Sequence, residues 1–355
     1  MLTRIAEKLD GGQSIDRSDA LFLLQEAELL EIGQLADRMR RRLHPLRRVT
    51  FVVDRNVNYS NICLAGCSFC AFYRDPAAEG GYLLSHEQIL AKVAELAAQG
   101  GTQLLLQGGL HPELAIDWFE ELFQRIRQSF PSVQIHSLSP AEIVHIANLS
   151  SLSVADCLKR LREAGLASLP GGGAELLVEE VRQRISPYKI AWQQWAQVMR
   201  EAHAQGMPTT ATMVFGFGEE PGQIVEHLFR IRDLQPASGG FTAFIPWTFQ
   251  PDNTALGGQG VSAWDYLKVL AVSRLVLDNI PNLQASWVTQ GAAIAQTALF
   301  FGANDMGGTM LEENVVAAAG TSFRLSQQEL IELVREAGFV AARRDTGYRV
   351  LEEYP

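Results

Sequence analysis

A chain of 355 residues with 47% hydrophobic and 20% charged side chains can bury a large core, as one large domain or two small ones. Its formal net charge of −10 gives no sign of a nucleic-acid surface, and no run of about 18 apolar residues predicts a membrane span. The first residues, MLTRIAEKLDGGQ, lack the apolar core of a secretory signal, and four cysteines do not suggest a disulfide framework, so we expect a cytoplasmic protein.

The apolar pattern predicts helical residues at 15–42 and then strands and helices in alternation. The predicted strands are 57–62, 103–107, 133–136, 166–169, 209–215, 241–245, 283–287 and 299–302. The predicted helices between them are 85–99, 117–128, 153–164, 192–205, 222–234 and 264–279, with another from 291. A last helix is predicted at 326–337, and the tail YRVLEEY is expected to form either a lid or an edge element.

Eight strand–helix units in series predict parallel strands with helical crossovers, in an open sheet or a closed barrel. We expect the closed form, a (β/α)8 TIM-type barrel, because polar and glycine-rich segments follow the strands where barrels build their active sites. The expected organisation is an N-terminal helical extension at 1–48, the barrel at 49–322, and a C-terminal helix and tail at 323–355 packed on the barrel.

Three cysteines, Cys63, Cys67 and Cys70, stand in the run NICLAGCSFCAFYR with the spacing C-x3-C-x2-C. Three thiolates on one loop can hold three corners of a 4Fe–4S cube and leave the fourth iron open to a small molecule. A structural zinc site is the alternative, but it would need a fourth ligand, and the nearest downstream histidine, His86, falls in a predicted helix. The remaining cysteine, Cys157, is expected to be a buried structural thiol.

The motif C-x3-C-x-aromatic-C after a first strand resembles the radical S-adenosylmethionine (SAM) superfamily. The resemblance implies that the three cysteines bind three irons and that SAM chelates the fourth. An electron from the cluster then cleaves SAM to methionine and a 5′-deoxyadenosyl radical, which abstracts hydrogen from carbon. It also implies that Phe69 packs near the adenine and that Gly108 and Gly109 contact the methionine part. Leu110 stands where the superfamily often has glutamate, so that contact is expected from the backbone.

Longer phrases look like the menaquinone (futalosine) and deazaflavin branch of this superfamily: LLQGGLHPEL, LASLPGGGAELL, TTATMVFGFGEE, FTAFIPWTFQPDNT, QASWVTQG and GANDMGGTMLEENV. The branch includes aminofutalosine synthase, the tyrosine-using half of deazaflavin synthase and the cyclic dehypoxanthine futalosine synthase family. FIPWTFQPDNT and SWVTQG are most similar to the last family.

That similarity implies a ring closure in menaquinone biosynthesis. Hydrogen leaves C4′ of the ribose of dehypoxanthine futalosine, the carbon radical adds to the benzoate ring, and loss of an electron and a proton restores aromaticity. A flavodoxin or ferredoxin is the implied reductant. A metal-stabilised scaffold or an electron carrier without catalysis stays open as a different class.

Such a reaction needs a dry, rigid pocket and a proton acceptor. Glu175 and Asp305 are the predicted catalytic carboxylates, with His111 and Glu312 as further candidates in predicted strand-end loops or just beyond. Glu175 follows three glycines whose backbone can approach a ligand closely, so it is also a candidate cofactor ligand. The alternative for Glu175, and for Glu312 with Glu313, is an interaction with a helix N-terminus.

The remaining candidates come from other predicted strand ends. His136 and Ser137 are the further predicted cofactor ligands, although a buried histidine can simply be satisfied by hydrogen bonds. The predicted substrate-binding residues are Gly172, Trp247, Thr289, Gln290, Asn304 and Asp305. Core packing is the alternative for Trp247 and for the neighbouring candidate Trp287.

Overall fold

Strands and helices alternate along the chain, as predicted, in a computed structural model that describes residues 1–321 and 323–355, and 236–238 by their backbone alone. The strands are β1 (Arg48–Val52), β2 (Asp54–Val57), β3 (Gln103–Leu106), β4 (Gln134–Ser137), β5 (Leu166–Ser168), β6 (Thr209–Phe215), β7 (Phe241–Thr248), β8 (Asn282–Leu283), β9 (Asp305–Gly308), β10 (Val340–Arg344) and β11 (Val350–Tyr354). The helices up to β6 are α1 (Leu2–Asp10), α2 (Arg17–Gln25), α3 (Leu29–Leu43), α4 (His86–Ala98), α5 (Ile116–Ser129), α6 (Pro140–Leu149), α7 (Val154–Ala164), α8 (Glu179–Ile185) and α9 (Trp192–Ala204). The helices after β6 are α10 (Pro221–Ser238), α11 (Ala263–Val276), α12 (Trp287–Gln290), α13 (Ala292–Ala298), α14 (Val315–Ala318) and α15 (Gln327–Glu336).

The strands of the described residues form three sheets rather than one continuous eight-stranded sheet. Their orders are β2-β3-β4-β5, β6-β7-β8 and β11-β10-β1-β9. Every pairing is parallel except that of β10 with β11. Parallel strands with helical crossovers confirm the predicted α/β class. Their carboxyl ends therefore share one edge in each sheet.

The first predicted strand is wrong, because the chain is already a loop at 58–62. The polar side chains there bond to the loop itself: Ser60 Oγ donates to the Tyr82 carbonyl at 2.6 Å, and Asn61 Nδ2 donates to the Gly80 carbonyl at 3.0 Å. The true first strands, β1 and β2, come from the preceding run RVTFVVDRNV, in which most residues are buried.

The last two predicted strands are also displaced. The strand expected at 283–287 is reduced to β8, and Trp287 already begins α12. The strand expected at 299–302 is wrong, because Gly302 turns the chain with a φ of +103° and Phe301 packs against Gly33 of α3. Its place is taken by β9, whose sequence DMGG has little strand propensity.

The segments before β1 and after α14 pack on the central strands and helices. Helix α3 packs against α11, and α2 packs against α10 and α11. The tail is an edge element, because β11 pairs antiparallel with β10, which itself pairs with β1. The expected domain boundary at residue 322 lies outside the described residues.

Two apolar clusters surround the sheets. One packs α4–α7 onto β2–β5 and contains Phe119, Phe123 and the fully buried Cys157, as expected for a structural thiol. The other packs α1–α3, α9–α11 and α13 around β1 and β6–β8, with Trp195 and Tyr266 among its largest side chains. No helix in the described part of the chain is long and apolar enough to span a bilayer.

Candidate active site

The three cysteines lie on the loop that joins β2 to α4, and this loop closes back on itself. The Cys63 N–H donates to the Arg74 carbonyl at 3.0 Å, and the Arg74 N–H donates to the Asn61 carbonyl at 2.8 Å. Between Cys63 and Cys67 the chain turns at Gly66, whose φ of +52° favours glycine. The loop is therefore bent and fixed just beyond the carboxyl end of β2.

The thiols are free, and their surroundings suit binding to iron. Cys63 Sγ accepts the N–H of Ala65 at 3.4 Å and that of Leu110 at 3.2 Å, and these bonds fix the position of this sulfur. Burial raises the pKa of the Cys67 thiol to about 12, so this thiol has to release its proton when it binds a metal. Burial also raises the pKa of Cys70.

Three thiols on one bent loop fit a 4Fe–4S cluster that has one open iron. Among the described residues, no three His, Cys, Asp or Glu side chains are grouped closely enough to hold a single metal ion. A cubane cluster does not need such a group, because each thiolate binds a different iron of the cube.

The glycine pair after β3 packs directly against the cysteine loop. A Cβ on Gly108 would lie 2.6 Å from the Tyr59 ring, and a Cβ on Gly109 would lie 2.7 Å from the Cys63 Cβ. Glu142, buried at the start of α6, fixes this turn, because its Oε1 accepts the Gly108 N–H at 3.0 Å and the Tyr59 hydroxyl at 2.8 Å. The structure therefore explains the two glycines by contact with the loop. Their contact with SAM stays a prediction.

A cavity of about 330 Å³ adjoins the last cysteine, Cys70. Besides Cys70, six predicted site residues line it: Phe69, His136, Gly172, Glu175, Trp247 and Thr289. Eight others lie outside its lining: Cys63, Cys67, Gly108, Gly109, Ser137, Gln290, Asn304 and Asp305. The sequence therefore predicted part of the lining but missed the part around Arg344, which is the lower end of the cavity.

Glu175 lies in a small group of buried charges beside the cysteine loop. Its Oε1 accepts a hydrogen bond from Lys189 Nζ at 2.7 Å, and its Oε2 lies 3.5 Å from Arg182 Nη1. Burial opposes the Lys189 charge, but attraction to Glu175 and to Cys67 outweighs it and raises the pKa of the ammonium. The Lys189 ammonium also lies 5.7 Å from the centre of the Phe69 ring. Glu175 therefore binds cations here, rather than a helix N-terminus.

His136 is buried and lines the cavity, while its neighbour Ser137 turns to the backbone. His136 Nδ1 lies 2.7 Å from Ser168 Oγ, which satisfies that nitrogen. Burial, and then the charge of Arg344, lower the pKa of His136 to about 3, so the imidazole is neutral at ordinary pH. Ser137 Oγ donates to the Leu106 carbonyl at 2.6 Å. Hydrogen bonding within the protein therefore accounts for both side chains.

The predicted substrate residues near β7 and β8 divide into two groups. Trp247 and Thr289 line the cavity. Gln290 reaches it indirectly, since its Nε2 donates to Thr248 Oγ1 at 2.9 Å and Thr248 is in the lining. Trp287 is core packing, with its indole N–H on the Gly308 carbonyl at 3.2 Å. Thr289 and Gln290 lie in α12, so their expected place at a strand end is wrong.

Asn304 and Asp305 also lie at the wrong end of their strand for the predicted site, because β9 begins at Asp305. Asp305 is fully buried; its two oxygens accept Arg344 Nε at 2.6 Å and Nη2 at 3.0 Å, and Thr50 Oγ1 donates at 2.5 Å. Asn304 Oδ1 accepts a hydrogen bond from Arg274 at 2.9 Å. Both side chains are therefore committed to the protein's own groups.

The other candidate bases have structural partners too. The Glu313 carboxylate accepts the first N–H groups of α14, at 2.9–3.0 Å, which confirms its helix-terminus alternative. Glu312 forms ion pairs with Arg55 at 2.9 Å and Lys92 at 2.7 Å. His111 lies in a separate small pocket beside α6.

Sequence reasoning missed four cavity or near-cavity groups. Lys189 was not selected, although it follows the glycine-rich segment that carries Glu175. Asp54, Arg344 and Tyr348 line the lower end of the cavity, and the Arg344 guanidinium lies 3.8 Å from the centre of the Tyr348 ring. Arg344 and Tyr348 reach the cavity only because β10 pairs with β1. Local sequence carries no signal of that pairing.

Fold and site together define a radical SAM enzyme. The Radical SAM superfamily model matches residues 57–231, and the model of the CofH/MqnC C-terminal region matches residues 238–354. Two solved structures share the fold at low sequence identity. Methylornithine synthase has a TM-score of 0.73 at 20% identity, covering 94% of this chain and 95% of that one. The hydrogenase maturase HydG of Carboxydothermus hydrogenoformans has a TM-score of 0.75 at 16% identity, covering 98% and 80%.

Relatives of much higher identity span the whole chain. A cyclic dehypoxanthine futalosine synthase of Halalkalibacterium halodurans is 46% identical over 99% of this chain and 95% of its own length. One of Streptomyces coelicolor is 41% identical over 99% and 89%. A 5-amino-6-(D-ribitylamino)uracil–L-tyrosine 4-hydroxyphenyl transferase of Methanopyrus kandleri is 41% identical over 86% and 85%. The chain belongs to the radical SAM family that contains these enzymes, and its cofactors are a 4Fe–4S cluster and SAM.

Proposed function

We propose that the chain is a cyclic dehypoxanthine futalosine synthase, which closes a ring in dehypoxanthine futalosine during menaquinone biosynthesis. The observation that carries the proposal is the cavity of about 330 Å³ that runs from Cys70 to the buried polar groups around Arg344. Its size lies within the range of small-molecule pockets, about 300–1,000 Å³. The 46% and 41% identities to enzymes of this name over nearly the whole chain support the choice of substrate.

The cysteine loop is the proposed site of the cluster, with Cys63, Cys67 and Cys70 as the three protein ligands. The cluster and SAM, when bound there, supply the hydrogen-abstracting radical. We assign Glu175 and Phe69 to SAM, because both line the cavity beside Cys70. Lys189 orients the Glu175 carboxylate through their 2.7 Å contact.

Gly108, Gly109, His136 and Ser137 stay predicted SAM contacts, made through backbone or through the cavity wall.

The substrate lies further along the cavity. Apolar lining such as Val214, Ile245 and Trp247 keeps water from a carbon radical, and we assign the hydroxyl of Thr289 to the ribose or the carboxylate of the substrate. Gln290 is assigned to position Thr248, to which it donates at 2.9 Å. Gly172 stays a predicted substrate contact in the lining, and its lack of a side chain leaves room for Gln107, whose Nε2 would lie 2.7 Å from an added Cβ. Asn304 and Asp305 support the lower end of the cavity, Asp305 through Arg344.

We also propose that the sheets close into one eight-stranded barrel, with 1–48 and 323–355 packed on it as extensions. Support comes from the single parallel bridges Leu169–Thr209 and Gln284–Asp305, which join the ends of neighbouring sheets. The near continuity of β1 and β2, which only Val53 separates, joins the remaining pair. The reducing partner, a flavodoxin or ferredoxin, and a cytoplasmic location stay predictions.

The test is turnover by anaerobically reconstituted protein with SAM, a reductant and defined substrates. Dehypoxanthine futalosine is expected to give 5′-deoxyadenosine and the cyclic product. If 5′-deoxyadenosine forms only with tyrosine and 5-amino-6-(D-ribitylamino)uracil, the chain has the transferase activity instead. The 41% identity to such a transferase over 86% of the chain supports this second candidate. Product only with the substrate of aminofutalosine synthase would assign that activity.

A scaffold or electron carrier is separated from an enzyme by one spectroscopic comparison. The spectrum of the reduced cluster is recorded with and without SAM. A change in the spectrum is expected, because an open iron binds SAM. An unchanged spectrum, or zinc in place of iron and sulfide, would favour the non-catalytic class.

A further inference from the structure

A buried carboxylate that the mechanism above does not use, Asp54, lines the lower part of the cavity. It is the first residue of β2 and is 1% exposed. Its Oδ1 accepts the Met310 N–H at 2.9 Å, and its Oδ2 accepts a long hydrogen bond from Gln103 Nε2 at 3.3 Å. Glycine at 308 leaves room for this carboxylate, because a Cβ there would overlap both of its oxygens.

Three carboxylates line the cavity, and the other two are occupied. Glu175 already forms ion pairs with Lys189 at 2.7 Å and with Arg182 at 3.5 Å. Glu313 spends both oxygens on the first turn of α14. Among the described residues of the lining, Asp54 is the one carboxylate with neither an ion pair nor a helix terminus. Each of its oxygens accepts one hydrogen bond within the protein and so keeps a lone pair free.

Burial makes Asp54 a stronger base than an ordinary aspartate. Burial raises the pKa of Asp54 to about 6, and the charge of Asp305 adds to the rise. The Met310 N–H, Arg344 and Gln103 lower the pKa, but by less than burial raises it.

Arg344 and Tyr348 line the same part of the cavity, and burial raises the pKa of Tyr348. His136, also in the lining, has its pKa lowered to about 3 by burial and by Arg344. A general base works best when its pKa lies near the operating pH, which favours Asp54 over His136.

We propose that Asp54 is the general base of the ring closure, an inference that rests on the proposed function. When the ribose carbon radical has added to the benzoate ring, the attacked ring carbon still carries its hydrogen. That C–H bond breaks, the proton goes to a carboxylate oxygen of Asp54, and the electron pair of the bond returns to the ring. The extra electron leaves to a one-electron acceptor of the iron–sulfur class, and the ring is aromatic again.

The test separates hydrogen abstraction from ring closure. Dehypoxanthine futalosine deuterated at C4′ is turned over by wild-type protein and by Asp54→Asn, and two products are counted. In Asp54→Asn, the rate at which deuterated 5′-deoxyadenosine forms is expected to stay within about threefold of the wild-type rate. The ratio of cyclic product to 5′-deoxyadenosine is expected to fall by about 100-fold or more. The same ratio in the variant and the wild type would overturn the proposal. Asp19→Asn, in α2 away from the cavity, is the matched control with an unchanged ratio.

Iron, sulfide and circular dichroism measurements establish that Asp54→Asn is folded and loaded. If it is not, the wild type supplies the test through pH. Cyclic product per 5′-deoxyadenosine is expected to fall as the pH drops below about 6, where Asp54 becomes protonated. A ratio that stays constant down to pH ~5 would overturn the proposal, given that pKa. Wild-type protein that forms no cyclic product would instead refute the proposed function, and the role of Asp54 with it.

Discussion

The ammonium of Lys189 lies 2.7 Å from Glu175 Oε1, at the point where the cavity meets the cysteine loop. Glu175 has a φ of +40°, which an L-residue adopts only when its surroundings hold it there. Lys189 and Arg182 supply that restraint through their contacts with the Glu175 carboxylate. Arg182 lies in α8, and Lys189 lies in the segment after it. The pair is therefore a positioning device for the residue that we assign to SAM.

Changing Lys189 to methionine is expected to weaken both stability and SAM cleavage. Glu175 would keep only Arg182 as a partner, at 3.5 Å, and loss of one partner of a buried ion pair costs up to about 3–5 kcal/mol. Cluster content should remain near wild type, since the cysteines are intact, while 5′-deoxyadenosine forms at least about tenfold more slowly.

The double variant Lys189→Met, Glu175→Gln supplies the control, because it removes both charges. It should regain part of the free energy of unfolding lost in Lys189→Met. Strictly additive losses, measured by chemical denaturation, would show that the two side chains do not interact.

Changing Cys67 to alanine is expected to abolish the cluster and turnover while the rest of the chain stays folded. Two cysteines cannot hold three irons, and the fold has its own apolar clusters on either side of the sheets. Iron and sulfide analysis with circular dichroism measures both effects.

Cys157→Ala is the matched control. It should lose about 1–2 kcal/mol of stability, because this thiol is fully buried, and keep full iron content. Retained turnover in Cys67→Ala would refute the radical SAM assignment at this loop.

The sequence predicted the features that depend on neighbouring residues. The cysteine spacing identified the cofactor, and β6 was predicted at 209–215, its observed bounds. It failed where distant segments meet. Asp305 was predicted as a catalytic strand-end residue, but the strand begins there, and β10 brings Arg344 to pair with it across 39 residues. Lys189 and Asp54 were missed for the same reason, since only the tertiary structure places Lys189 on Glu175 and Asp54 at the cavity. The glycine-rich β9 has no apolar pattern that marks it as a strand.

Changing Gly109 to alanine is expected to disturb the cysteine loop and lower iron content. The added Cβ would lie 2.7 Å from the Cys63 Cβ and would overlap the carbonyl of Ile62, so backbone has to move. Gly222→Ala in α10 is the control, because no atom lies within 4 Å of its added Cβ. That variant should keep its iron and gain up to about 1 kcal/mol from helix propensity. Equal iron content in the two variants would show that the loop tolerates a side chain at 109.

The burial of Asp54 is expected to lower the stability of the fold at neutral pH, because an ionised carboxylate is less stable in a buried site than in water. Its pKa is about 6 in the folded protein against 3.8 for the free side chain. The folded state therefore prefers the protonated acid, so this stabilising contribution is complete below pH ~4 and is lost as the pH rises through about 6. At pH 7 the loss amounts to about 3 kcal/mol, at 1.36 kcal/mol for each step of one in pKa.

Asp54→Asn cannot ionise, so it should be more stable than wild type by about this amount at pH 7 and nearly equal to it at pH 4. Urea denaturation of both proteins at the two pH values measures the difference, and a variant less stable than wild type at pH 7 would show that the carboxylate is stabilised by its partners instead. A gain in stability together with a loss of ring closure is the combination expected of a buried group retained for catalysis.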